Sequence, residues 1–352
     1  MSRRWPVAVL GATGAVGQTF VRLLADHPWF ELRELAASER SVGRAYGEAA
    51  HWLEGGLPND LAGRAVVACD PAMVSAPVVF SALDAGVAGE LETAFARAGK
   101  LVLSNARAHR TDPDVPLVIP EVNGGHLAVI GDQRRRRGWS GAIVTNANCA
   151  ATVAAVALAP LHEAFGLRRA ALTTMQAVSG AGYPGVASLD ILGNVIPYIA
   201  GEEEKIEREL CKLLGAQCGD SIVPLDAVVS AQANRVPVEH GHTVCISASF
   251  DSEFTLEEAQ EIMRAWRGHP QVAGLPSAPE RPLIVLDGTD RPQPRRDTNA
   301  GNGMTVSVGR IREDSIFDIR MVALGHNTVR GAAGGSVLNA ELLAAMDQLP
   351  AA

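Results

Sequence analysis

The sequence predicts an α/β fold in two parts, a doubly wound parallel sheet followed by an α+β domain. Three observations predict it. Short, wholly apolar runs alternate with helical patterns through the first half, as parallel strands joined by crossover helices require. Runs of strands interrupted by Pro and Gly follow in the second half. A length of 352 residues gives each part an ample core.

Pro6 opens the apolar run Val7-Ala8-Val9-Leu10, a buried parallel strand. Gly11-Ala12-Thr13-Gly14-Ala15-Val16-Gly17 follows at once, and an amphipathic helix continues over 18–25. Strand, glycine turn and helix make a dinucleotide-binding start, with Gly11, Thr13, Gly14, Ala15 and Val16 facing a pyrophosphate at the helix N-terminus. The spacing is G-x-x-G-x-x-G rather than G-x-G-x-x-G, and a plain tight turn is the other reading. A second strand over 31–37 ends in Ser38-Glu39-Arg40-Ser41. Ser38, Arg40 and Ser41 suit a 2′-phosphate and favour NADP, whereas Glu39 suits the ribose hydroxyls of NAD.

Residues 78–83 read as another buried strand, 88–98 as a helix and 101–105 as the next strand. Ser81 and Asn105 then stand at strand C-terminal ends, where such sheets hold their ligands. Arg107, His109 and Arg110 share the following loop, either as a solvated surface or as an anion site beside the cofactor. The basic run from Arg134 to Arg137 lies between glycine-containing turns and reads as a solvated loop.

The next stretch, 143–158, reads as a strand end, an Asn-rich turn, one cysteine and a buried helix. Asn148 is a good N-cap, which puts Cys149 in the first helical turn. Free N–H groups and the positive end of the helix dipole stabilise a thiolate there, the nucleophilic form of cysteine. A buried, inert thiol is the alternative.

In the second half, 170–178 reads as a strand carrying Gln176 near its exit, and 179–185 as a glycine-rich loop. A charged helix runs over 201–214, where Glu202 and Lys205 can pair at i and i+3 or simply face solvent. Residues 233–244 read as one strand with an irregular middle at Pro237 and Gly241, presenting Arg235, His242 and His240 near a bend. An amphipathic helix over 256–266, strands over 305–310 and 316–324, and a last helix over 333–349 complete the chain.

A net charge of −8 argues against general nucleic-acid binding. No apolar run approaches a bilayer span, and Ser2-Arg3-Arg4-Trp5 leaves little room for a targeting segment. Five cysteines, at 69, 149, 211, 218 and 245, are odd in number and scattered. Without a Cys-x-x-Cys pair or a His-Glu-x-x-His helix, neither a disulfide framework nor a metal site is expected. The expectation is a cytoplasmic protein with no membrane or nucleic-acid partner.

Ten ordered segments carry a further signal: GATGAVG at 11–17, ASERSVG at 37–43, SNARAHR at 104–110, IPEVN at 119–123 and TNANC at 145–149. The others are TMQAVSGAGYPG at 174–185, IPYIAGEEEKIE at 196–207, NRVPVEHGHT at 234–243, RPQPRRD at 291–297 and LGHNTVRGAAGG at 324–335. Together they resemble the archaeal and fungal type of aspartate-semialdehyde dehydrogenase, from Val7 to Glu341. The resemblance implies a Rossmann domain of residues 1–148 plus 327–352 and an α+β catalytic and dimerisation domain of residues 149–326, assembled as a homodimer or homotetramer. It implies Cys149 as nucleophile, His242 as acid/base and Gln176 as the group orienting substrate beside the thiol. Arg235 takes the α-carboxylate, Glu202 the amine, and Lys205 and Arg110 the phosphate, with Asn148 beside them. Ser179, Gly180 and Asn327 join the cofactor residues.

The implied reaction is the reversible reductive dephosphorylation of 4-aspartyl phosphate to aspartate 4-semialdehyde, a step towards lysine, threonine and methionine. A thiolate takes over the acyl group, hydride transfer follows, and the histidine serves as acid/base at the oxygen before aldehyde leaves. Ala147 and Ala150 depart from the family's N-P-N-C-S/T, which loosens the turn slightly and removes one hydroxyl. The rivals are an acyl-thioester reductase of the malonyl-CoA reductase kind and a non-catalytic NADP-binding redox sensor, for which a full set of substrate-facing charges is unnecessary.

Overall fold

The computed structural model describes residues 4–350; Ser2 and Arg3 of the lead-in and residues 351–352 lie outside the described residues. The apolar runs of the first half become β1 (Trp5–Leu10), β2 (Phe30–Ala37), β3 (Val67–Ala68), β4 (Val78–Ser81), β5 (Leu101–Ser104), β6 (Leu117–Val118) and β7 (Ala142–Asn146). They form one sheet of order β3-β2-β1-β4-β5-β7-β6, parallel at every pairing. Val7–Leu10, Val78–Phe80 and Leu101–Leu103 are fully buried, which explains why these strands read as unbroken apolar runs. The strand order reverses between β1 and β4, so a crevice opens at their C-terminal ends. The glycine turn enters α1 (Ala15–Leu24) there, and α2 (Ala85–Arg97) follows β4.

Residues 134–137 are not a loop. They form the last turns of α3 (Ile130–Arg137), which Gly138 closes in the left-handed conformation at φ 64°. The glycine that suggests a loop is the helix's C-cap, and the four arginines stand at the negative end of its dipole. Arg137 also bonds the carboxylates of Asp112 and Asp114.

Cys149 begins α4 (Cys149–Phe165), whose residues from Ala150 to Leu161 are all buried. Its Ala/Val/Leu surface packs against the second sheet and α5 (Glu202–Leu213), so no polar face is needed. The second sheet contains β8 (Leu167–Gln176); β9 (Ala216–Cys218) and β10 (Ser221–Val223) form a separate two-stranded pair. Then come β11 (Val228–Arg235), β12 (His242–Phe250), β13 (Leu283–Leu286), β14 (Val306–Glu313) and β15 (Ile319–Gly325), in the mixed order β11-β8-β12-β15-β14-β13. The capping box of Thr255 and Glu258 starts α6 (Leu256–Ala265).

Two expectations about this half need correction. The stretch 233–244 is not one irregular strand: β11 stops at Arg235, β12 starts at His242, and β8 lies between them. Pro237 and Gly241 mark the crossing. The strand expected to begin at 316 begins at Ile319, because Asp314 Oδ1 accepts the Ile316 and Phe317 N–H groups in a turn.

The chain ends by returning to the first sheet. A wide turn, Val329–Ala333, leads into α7 (Gly334–Ala345), and Val337, Leu338, Leu342 and Leu343 join the core of β1, β2 and α1. The turn runs so close to the cysteine that a Cβ on Gly331 would lie 2.5 Å from Cys149 Cβ. Arg330, fully buried, makes a bidentate pair with Glu121 at 2.7 and 2.8 Å. Glu121→Ala leaves that guanidinium without its countercharge, so it is expected to lower unfolding stability by about 3–5 kcal/mol, read as a shift of the denaturant midpoint.

Candidate active site

Five elements converge on the sulfur: the start of α4, the ends of β8 and β11, the start of β12, and one face of α5. Asn148 caps α4 as its sequence predicts, its Oδ1 accepting from Ala150 N at 2.9 Å and Ala151 N at 3.0 Å. Its amide Nδ2 donates to Glu202 Oε1 at 2.6 Å, and its backbone N–H donates to Glu209 Oε2 at 2.5 Å. Lys205 Nζ donates to the other Glu202 oxygen at 3.1 Å. On the near side, Asn146 Nδ2 donates to Asn105 Oδ1 at 3.0 Å and to Ala332 O at 2.6 Å. Neighbouring side chains thus hold a turn that has neither proline at 147 nor a hydroxyl at 150.

Strand register assembles the second group. Arg235 pairs with Gln176 across β11 and β8, and Thr243, next to His242, pairs with Met175 across β12 and β8. Arg235 Nη1 donates to Ala177 O at 2.7 Å, and Ala177 N donates to His242 Nδ1 at 3.1 Å. His242 is fully buried and its Nε2 has no partner. Because Nδ1 accepts a backbone N–H, the neutral ring carries its proton on Nε2.

Arg110 reaches the cleft from the first sheet. Its Nη1 donates to Glu209 Oε1 at 3.0 Å and its Nη2 to Asn105 O at 2.7 Å, while its Nε is buried without a partner. A cavity of about 490 Å³ results. It is lined by Asn148, Cys149, Gln176, Glu202, Lys205 and Arg235, by Val16, Asn105 and Arg110, and by Ser179, Gly180 and Asn327. Asn327 Nδ2 donates to Ser179 Oγ at 2.8 Å, and Asn327 Oδ1 accepts Gly241 N at 2.9 Å.

Val16 of the glycine turn reaches that cavity, and the remaining cofactor residues lie outside it. Gly14 caps α1 without a side-chain bond, and Gly11, Thr13, Gly14, Ala15 and Val16 are accessible while Ala12 and Gly17 are buried. Gly11 adopts φ 73°, and a Cβ there would meet Ala82 O at 2.5 Å. Bare N–H groups at a helix start suit a pyrophosphate, so these residues fit a dinucleotide. Ser38 and Arg40 are exposed at the end of β2, whereas Ser41 is buried beneath them.

Four readings are corrected. Ser81 Oγ does not enter the crevice: it is fully buried and donates to Glu92 Oε1 at 2.6 Å, together with Ser104. The strongly charged helix is not simply solvated, because Glu202, Glu209 and Lys212 are all buried. His242 does not line the cavity; Gly180 packs against its Nε2 edge and stands in front of it. The Cys149 thiol is not made acidic by its helix. Burial and then the Glu202 carboxylate push it up to about 12, outweighing Arg110, the Ala150 N–H and Arg235. Burial and then the Arg235 guanidinium lower His242 to about 3, so it is neutral near pH 7. Burial raises the Glu202 carboxyl, but Asn148 and Lys205 outweigh it and hold Glu202 below the usual carboxylate range.

Sequence reasoning missed Glu209, Lys212 and Asn146. Glu209 carried a usable signal: it lies seven residues beyond Glu202, two turns along the same face.

A nucleotide-binding crevice facing a capped cysteine, ringed by fixed charges, defines a dehydrogenase. Residues 6–130 match the family profile described as semialdehyde dehydrogenase, NAD binding domain, and residues 158–330 the one described as semialdehyde dehydrogenase, dimerisation domain. An aspartate-semialdehyde dehydrogenase of Archaeoglobus fulgidus is 52 % identical over 97 % of this chain and 98 % of its own. A malonyl CoA reductase (NADP) of Metallosphaera sedula is 42 % identical over 97 % and 98 %. The crystal structure of aspartate semialdehyde dehydrogenase with NADP from Candida albicans superposes with TM-score 0.91 at 43 % identity, covering 98 % of this chain and 100 % of that one. The chain belongs to the aspartate-semialdehyde dehydrogenase family.

Since Glu202 raises the Cys149 thiol, Glu202→Gln is expected to move the rise of iodoacetamide alkylation at Cys149 to lower pH. A profile unchanged from wild type would remove Glu202 from this role.

Proposed function

We propose that the protein catalyses the reversible, NADPH-dependent reductive dephosphorylation of 4-aspartyl phosphate to L-aspartate 4-semialdehyde. One observation carries the reading. Cys149 shares a cavity with the side chains of Arg110, Lys205 and Arg235 and with the Glu202 carboxylate, a charge set suited to a short amino-acid acyl phosphate with its carboxylate, ammonium and phosphate groups.

Arg235 binds the α-carboxylate with its planar fork, and Glu202 receives the α-ammonium. Arg110 and Lys205 hold the phosphate, the buried Arg110 Nε supplying an uncommitted donor. Gln176 orients the acyl group. The Cys149 sulfur attacks the acyl carbon as thiolate, phosphate leaves, and a thioacyl enzyme forms. The Ala150 N–H and the two guanidiniums favour the sulfur's negative charge, against burial and Glu202. The glycine turn would hold the pyrophosphate of NADPH, Ser38, Arg40 and Ser41 its 2′-phosphate, and Ser179, Gly180 and Asn327 its nicotinamide end, and the bound cofactor would supply the hydride. His242 gives its Nε2 proton to the acyl oxygen as hydride arrives, making the thiohemiacetal, and takes it back as the C–S bond breaks, so that aldehyde leaves and the Cys149 thiolate is released. Gly180, which has no side chain, is what stands next to that edge of the ring.

We also read the two parts as residues 1–148 plus 327–352 and residues 149–326, supported by the return of α7 to the first core and of α4 to the second. A homodimer or homotetramer is supported by the face of the second sheet carrying Thr173, Gln232 and Ser247, on which Thr173 and Gln232 are exposed. Among the described residues no helix is long and apolar enough to cross a membrane. All five cysteines are free thiols, which supports a reducing, cytoplasmic setting.

The expected outcome is NADP reduction by aspartate semialdehyde that depends on phosphate. Dependence on coenzyme A instead would turn the assignment towards the Metallosphaera relative's chemistry. Cys149→Ala abolishes turnover while NADPH still quenches protein fluorescence on binding; near-normal turnover in that variant overturns the covalent route. Arg235→Ala raises the KM for the semialdehyde by at least about tenfold, as loss of a charge-assisted pair does, and an unchanged KM removes Arg235 from the carboxylate site.

A further inference from the structure

Glu209 lies on α5 with 3 % of its surface exposed, and its two carboxylate oxygens do different work. Oε1 accepts from Arg110 Nη1, a side chain of the first sheet, at 3.0 Å, and Oε2 accepts from the backbone N–H of Asn148, the residue before the nucleophile, at 2.5 Å. We propose that Glu209 is a positioning residue that fixes the Arg110 guanidinium and the cysteine's turn in one register, so that the phosphate end and the acyl carbon of a substrate are set together. This rests on the roles given above to Arg110 and Cys149.

A buried ion pair is by itself weak evidence of stability, because desolvation offsets much of the attraction. The case here rests on what the pair joins. Glu202, two turns earlier on the same face, holds the Asn148 side chain while Glu209 holds the Asn148 backbone. One turn later, Lys212 Nζ donates to the carbonyls of Arg110, Asp112 and Val115 at 2.8, 2.7 and 2.8 Å and fixes the loop that carries Arg110. With Nη1 on Glu209 and Nη2 on Asn105 O, the Arg110 Nε is the guanidinium nitrogen left without a partner among the described residues. An amide at 209 can accept from one partner only and turns an NH2 towards the other, so Arg110 and Asn148 lose their common reference. Misplacement of a reacting group by about 1 Å can cost on the order of a hundredfold in rate.

The experiment compares Glu209→Gln, Glu209→Asp, Arg110→Ala and the Arg110→Ala/Glu209→Gln double variant in the direction from aspartate semialdehyde, phosphate and NADP. Glu209→Gln is expected to raise the KM for phosphate about tenfold, the loss of one charge-assisted contact, and to lower kcat, with the KM for NADP unchanged. In the Arg110→Ala background it raises the phosphate KM no further, since it acts through that arginine. Glu209→Asp, which keeps the charge and shortens the reach, falls between wild type and Glu209→Gln. A phosphate KM unchanged in Glu209→Gln, or two effects that multiply, overturns the proposal. If Glu209→Gln does not fold, the same comparison with Glu209→Asp decides it. If Arg110→Ala itself leaves the phosphate KM unchanged, the role given to Arg110 fails, and the inference about Glu209 falls with it for a separable reason.

Discussion

Asn148 is clamped from three directions, and the geometry of the reactive sulfur depends on it. Its carbonyl oxygen Oδ1 closes the start of α4, its amide hydrogen is taken by Glu202 and its backbone N–H by Glu209. Both glutamates stand on α5, which is fixed against α4 by Ile206, Leu210 and Leu213 in the second core. Position is therefore secured by acids, and acids oppose the anion that cysteine chemistry needs. The same Glu202 that steadies the turn raises the thiol, while two guanidiniums and one N–H work against it. The site holds its nucleophile firmly placed and predominantly protonated.

The other half of the site is a product of sheet order. Arg235 closes β11 and His242 opens β12, and the two flank the exit of β8 because the connection passes over that strand's end. A direct hairpin between β11 and β12 would have left Gln176 on another edge. Ala177 then serves both neighbours, its carbonyl receiving Arg235 and its N–H fixing the His242 tautomer.

What could be read from the sequence follows from the range of the forces involved. The glycine turn, the apolar strands and the Asn148 cap are local devices, each specified within a few residues, and the structure contains them with boundaries shifted by only a few positions. The mixed second domain is legible too, although 233–244 reads as one strand because pairing with β8 is set by residues some sixty positions away. Charges on α5 read as a solvated face because their buried partners, Arg110, Asn148 and the 110–115 loop, come from distant segments. Ser81 reads as a ligand contact since nothing nearby shows that Glu92, on the next helix, captures its hydroxyl. The thiol's acidity is hidden for a related reason: a helix start is visible in the sequence, but the desolvation that outweighs it belongs to the assembled cavity.

The turn through Gly331 has a bearing on how the protein is made. It passes against the cysteine with no room for a side chain, and Arg330 beside it is moored to Glu121 far upstream. β15, an interior strand of the second sheet, ends at Gly325 and the turn begins at Val329, so that sheet and the cover over the sulfur are completed together as the last of the chain emerges. The sulfur is thus covered by the same stretch of chain that completes the sheet aligning Gln176, Arg235 and His242.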